Sequence, residues 1–151
     1  VQTCALPISF KKGSCGACVN NHGPAPCIVH VMGAAQKNQN FRTAFWTGSC
    51  LQMTLMHIPT CGEIGVEMHP DTDQFIRVEN GQALVCVGNR KETLDFQCCL
   101  KTGDGIFVPA GSWHNICNTG DCPLKLSSIY APPHHPKGTV HCTKADAVSK
   151  D

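Results

Sequence analysis

From Phe41 to Ala131 the chain is a series of short apolar runs cut by glycine, proline and asparagine, and no amphipathic helical period is sustained. The runs FRTAFWTG, LQMTLMHI, GEIGVEMHP, QFIRV and QALVCV have strand length and strand composition. ENG at Glu79–Gly81 separates the last two and reads as a hairpin turn. Many short strands at such spacing predict an all-β barrel or sandwich. At 151 residues there is room for one ordinary domain. Hydrophobic residues make up 42%, enough for a packed core, and charged residues only 15%, which excludes a disordered chain or a charge-laced coiled coil. No internal repeat is present.

Four sections are expected. Residues 1–8, VQTCALPI, resemble the in-frame translation of a sequencing-adapter oligonucleotide and are set aside. Residues 9–40 are expected to form an irregular Cys-rich arm, 41–135 the barrel, and 136–151 a polar, Pro-rich tail. Twelve Lys and Arg against eleven Asp and Glu give a formal charge of +1, which offers nucleic acid or an anionic membrane no electrostatic footprint. No apolar run approaches the ~20 residues needed to span a bilayer. No secretion signal is visible, so the twelve cysteines read as reduced thiols of a cytoplasmic protein. Cys86 and Cys117 lie inside apolar runs and are expected to be buried as small hydrophobes. Cys98 and Cys99 are adjacent, too close for an ordinary disulfide, and are taken as structural.

Two segments carry the chemistry. One is Gly62-EIGV-Glu67-Met68-His69-PDTD-Gln74-FIRVEN-Gly81, and the other is Gly103-DGIFV-Pro109-Ala110-Gly111-SW-His114-NIC-Asn118. In a strand, residues two apart share a face. Glu67 and His69 therefore point one way, Gln74 lies with Ile76 and Val78, and His114 with Ile116 and Asn118. Each face is apolar except for one or two side chains able to bind metal, which suits the inner wall of a small barrel. Imidazole, carboxylate and amide oxygen together suit a divalent first-row metal.

These segments resemble the paired motifs of the cupin superfamily. The second matches Gly-x5-Pro-x-Gly-x2-His-x3-Asn at every specified position. The first departs from the family: Glu67 stands where a histidine is usual, Gln74 where an acid is usual, and the gap from Gly62 to Glu67 is one residue short. The phrases HPDTDQFIRVENG, FVPAGSWHN and YAPPHHPKGTVH narrow the resemblance to small single-domain bacterial cupins of the mannose-6-phosphate isomerase-like type. The resemblance implies a double-stranded β-helix, usually homodimeric, holding one divalent metal (Zn, Mn, Fe or Ni). By position it implies His69, His114, Gln74 and Glu67 as ligands, with Asn118 a packing residue. Glu67 doubles as the one nameable catalytic base, and would then have to be free of the metal.

Outside the motifs, Cys15, Cys18 and Cys27, with His22 or His30 as a fourth ligand, form a second possible metal or thiol site. A flexible thiol-bearing arm and a redox pair are the other readings of those cysteines. His57 and the tail histidines His134, His135 and His141 read as structural or solvated. No Ser-His-Asp pattern, Walker loop or dinucleotide fingerprint occurs. The leading expectation is a metal-dependent, isomerase-like enzyme acting on a small polar, sugar-like molecule. A non-catalytic metal- or ligand-sensing barrel, a metal-dependent dioxygenase and an empty structural barrel are the alternatives.

Overall fold

The structure is a computed structural model and describes residues 22–148. Helix α1 (Val31–Lys37) precedes strands β1 (Arg42–Thr47), β2 (Gln52–Ile58), β3 (Asp73–Asn80), β4 (Gln82–Gly88), β5 (Phe96–Lys101), β6 (Gly105–Val108), β7 (Trp113–Asn118), β8 (Leu124–Ala131) and β9 (Val140–His141), and helix α2 (Lys144–Val148) follows. The strands form an antiparallel six-stranded sheet, in the order β6-β3-β8-β2-β1-β9, and a three-stranded sheet, β5-β4-β7. This is the expected all-β double-stranded β-helix. No helix among the described residues is long and apolar enough to cross a membrane.

Alternation explains which residues build the core. Ile76 and Val78 from β3, Val85 from β4, Ile116 from β7, and Leu124 and Leu126 from β8 meet between the sheets, each at most 1% exposed. Burying each such side chain stabilises the fold by roughly 1.5–3 kcal/mol. The other face of the large sheet is covered as well: Met53 and Leu55 pack under Ala35 of α1. Strand β2 is therefore buried on both faces, which is why QMTLMHI shows no polar alternation. Helix α1 forms inside the stretch expected to be irregular, and seven residues are too few to display a helical period. Strand β9 lies in the expected tail and pairs with β1.

Two expectations are corrected. Glu79–Gly81 is a turn but not a hairpin. β3 pairs with β6 and β8, while β4 pairs with β5 and β7, so the chain crosses from one sheet to the other at this point. Gly81 makes the corner at φ +104, a conformation that favours glycine. Nor are the cysteines buried hydrophobes. Val85 faces the core and Cys86 the outer surface of the small sheet, where Cys86 and Cys117 are partly exposed. Cys98 and Cys99 lie exposed on edge strand β5.

His57 faces away from the barrel interior. It sits opposite Lys125 in the β2–β8 register, and the Lys125 ammonium lies 2.7 Å from its Nδ1. Lys125 also donates to the carbonyl of Asn38, just past the end of α1, and so pins that helix to the sheet. Burial and then the Lys125 charge push the His57 pKa below 6.5. The unfolded chain takes up this proton near pH 6.5 and the folded chain resists it, so stability falls as pH drops through that value. His57→Gln is expected to flatten the decline in urea-unfolding stability as pH falls below 6.5.

Candidate metal centre

Residues 63–67 add a rung pair to the free edge of β7 through bridges Glu63–Cys117 and Glu67–His114. Glu67 and His114 exchange two backbone hydrogen bonds, N to O 3.0 Å and 2.9 Å, which sets them directly opposite each other. The His69 carbonyl accepts from the Gly111 N–H at 2.8 Å and anchors the next turn beside them. As alternation predicted, His114, Ile116 and Asn118 are the buried inward side chains of β7.

Three ligand-type atoms converge. Nε2 of His69 lies 3.6 Å, and Nε2 of His114 3.5 Å, from Oε1 of Glu67. Among the described residues this is the one group of three or more His, Cys, Asp or Glu whose ligand atoms meet, all within 4.8 Å. None of the three atoms has a hydrogen-bond partner, and all are buried. The carbonyl of Ser112, an acceptor, lies 3.1 Å from Nδ1 of His114. A proton on Nδ1, donated to that carbonyl, leaves Nε2 as the inward ligand atom. Two ring nitrogens and a carboxylate oxygen thus face one another in a buried gap where a cation could sit. Ligands about 2.1 Å from one ion at tetrahedral angles stand about 3.4 Å apart, close to both separations here.

The surroundings keep Glu67 ionised. Burial raises the Glu67 pKa, but the His114 and His69 rings and then the Arg42 guanidinium outweigh it and hold the carboxyl well below the usual range. Arg42, from β1, places Nη2 3.5 Å from Oε2 of Glu67. Gln74 points inward from β3, and its Nε2 donates to Ser128 Oγ at 2.8 Å. That bond fixes the amide so that Oε1 is the free end, buried and without a donor. Tyr130 is wholly buried, and burial pushes its pKa up to about 12, so it stays a phenol. The Tyr130 ring packs edge-on against His69.

The tail histidines are not solvated as a group. His135 and His141 are buried. Gln52 clasps the His135 backbone on both sides, accepting from its N–H at 2.9 Å and donating to its carbonyl at 2.8 Å. Burial, with the charges of Arg42 and His134, lowers the His135 pKa to about 3 and keeps the ring neutral. His134 is exposed at the rim, its ring centroid 4.1 Å from that of His69. Arg42 and Tyr130 were not among the residues predicted from sequence. Arg42 had no local signal, and Tyr130 opens the phrase YAPPHHPKGTVH without any metal-ligand chemistry of its own.

Only part of the second predicted site falls within the described residues. Cys15 and Cys18 lie outside the described residues. Cys27 is exposed and free. His30 caps α1 by accepting from the Gly33 N–H at 3.3 Å, and the His22 ring packs 5.0 Å from that of Phe45.

The fold and the cluster together define a class: a small β-barrel protein with a buried His, His, carboxylate centre that can hold a metal ion. Residues 54–130 match the family described as Cupin domain, and the chain belongs to that family. It is 50% identical over 133 residues to the uncharacterized protein YrkC of Bacillus subtilis, covering 88% of this chain and 72% of that one. It is 38% identical over 114 residues to the uncharacterized protein L612 of Acanthamoeba polyphaga mimivirus, covering 75% and 69%. The crystal structure of BH2720 from Bacillus halodurans superposes with a TM-score of 0.85 at 52% identity, covering 86% of this chain and 98% of that one.

Proposed function

We propose that this cupin is a metal-dependent enzyme in which His69, His114, Glu67 and Gln74 hold one divalent ion, with a small hydroxylated, sugar-like molecule as substrate and isomerase-like chemistry. The observation that carries the metal is the convergence of buried, unpartnered Nε2 and Oε1 atoms in one gap. An ion there supplies Lewis-acid polarisation of a substrate carbonyl or hydroxyl oxygen. The hydroxylated substrate is supported by inward polar atoms: the neighbouring Thr54 and Tyr130 hydroxyls and the unpartnered His135 Nε2. Tyr130 donates as a phenol and neutral His135 donates or accepts, which matches hydroxyl groups better than an apolar ligand. Glu67, held ionised and aimed at the histidines, serves as ligand in this reading and not as the base. His134, exposed at the rim against His69, is placed to exchange a proton between substrate and solvent.

Mass spectrometry of protein purified with and without oxygen tests the reading. About one divalent ion per chain is expected, and none in the His69→Ala/His114→Ala double mutant. A chain free of metal under both conditions would sink the proposal. Aldose–ketose interconversion and O2 consumption, screened over a panel of small hydroxylated molecules, then separate isomerase, oxygenase and non-catalytic sensor.

A further inference from the structure

The two sheets leave a seam, and α2 lies over it. On one side stands the β1–β9 edge of the large sheet, and on the other residues 63–67, which extend the small sheet past β7. Between them is a cavity of about 250 Å3 bounded by the start of β1, residues 64–67 and α2. Arg42 lines it, although only 2% of this residue is exposed. Its Nη2 stops 3.5 Å from Glu67 Oε2, beyond a good hydrogen bond, and its Nε meets no acceptor among the described residues. A guanidinium carries five N–H donors in a planar fork, and buried donors of this kind are normally satisfied. Lys144 supplies a second cation, half-exposed at the entrance, where its Nζ lies 3.1 Å from Glu63 Oε1. Gly65, at φ +102, leaves it room: a Cβ there would lie 3.4 Å from Nζ. The remaining walls are the Glu67 carboxylate, beside Arg42, and the apolar side chains of Phe41, Ile64, Val66 and Val148. Val66 and Val148 are 38% and 72% exposed, so this apolar surface opens outward.

We propose that the seam cavity binds a small organic carboxylate, its carboxylate on the Arg42 fork and a short apolar tail along Phe41, Ile64 and Val66. A carboxylate matches the guanidinium fork in shape and charge. This site lies across Glu67 from the histidine pair, since Glu67 presents Oε1 to the rings and Oε2 to Arg42. The proposal rests on the metal reading in one respect: an ion on Oε1 draws the Glu67 charge from Arg42 and leaves the guanidinium for a second anion.

Calorimetric titration of the metal-loaded full chain with sodium butyrate tests it, with butyramide as the neutral isostere and inorganic phosphate as the tailless anion. Saturable one-to-one binding of butyrate is expected, and none of butyramide. Arg42→Lys is expected to weaken butyrate at least tenfold, because the fork is lost. Val66→Trp should fill the cavity and abolish binding, and Lys144→Gln should weaken it about threefold. Both residues are partly exposed, so these two variants carry the test if Arg42→Lys does not fold. Equal binding of butyramide, tighter binding of phosphate, or butyrate affinity unchanged in Val66→Trp and Lys144→Gln overturns the site. A chain that holds its ion and ignores butyrate sinks this site and leaves the metal reading standing. One that binds butyrate yet holds no ion sinks the metal reading and keeps the carboxylate site without the part given to the ion.

Discussion

Glu67→Gln is expected to lower divalent-metal affinity by about two orders of magnitude or more, about 2.8 kcal/mol at a hundredfold. Glutamine keeps the shape and one oxygen but removes the charge, and Glu67 is the one anion in the proposed set. Even residues that merely orient ligands cost about 10–100-fold when changed, so losing an anionic ligand should cost at least as much. The same change affects folding. Arg42 is 2% exposed, with Glu67 as the carboxylate paired to it. Removing one member of a buried ion pair costs roughly 3–5 kcal/mol, less here because the Glu67 side chain is 24% exposed. A competitive metal titration and urea unfolding of the same protein separate the two losses. Wild-type metal affinity in the mutant would remove Glu67 from the coordination set.

Asn118→Ala is expected to destabilise the fold by about 3 kcal/mol or more. Asn118 closes β7 and is buried. Its amide donates to the carbonyls of Ile58 and Pro59, each at 3.1 Å, and of Cys122 at 2.9 Å, and its Oδ1 accepts from Gly120 N–H at 2.9 Å. Alanine removes all four bonds; the Pro59 carbonyl keeps the Gly62 N–H, and each group left unpaired costs roughly 1–3 kcal/mol where water cannot reach it. Asn118→Asp should be worse than alanine, since it turns an oxygen toward three carbonyl oxygens. Denaturant midpoints of the two mutants decide the order. An aspartate mutant as stable as wild type would mean that this side chain does not tie the barrel end together.

The sequence motifs made this end legible. The fixed interval from Gly111 to His114 and Asn118 places both side chains on one strand face, and alternation alone says they point inward. His69 and Gln74 follow from the same rule. Arg42 does not, because its importance depends on β1 lying across a seam from a loop 25 residues away. The turn at Glu79–Gly81 was visible, but a glycine at positive φ serves a hairpin and a sheet-crossing corner equally well. Which of the two forms depends on β6, β8, β5 and β7, all far along the chain. The thiols were misjudged because ALVCVG was taken as one apolar run, whereas a three-stranded sheet buries only alternate members of it. The neutral His135 beside Tyr130 could not be read from a Pro-rich stretch that resembles any solvated loop.

The corner at Gly81 has a consequence for the order of assembly. Neither edge of β3 can be satisfied by its sequence neighbours, since its partners β6 and β8 both come later. Strand β2 likewise pairs with β1 and then waits for β8. During synthesis at about 5–20 residues per second, these strands emerge several seconds before their partners. They remain open to association with other chains through that interval. Slow completion of distant pairings is the regime of β-rich barrels, which fold in milliseconds to seconds once the whole chain is free.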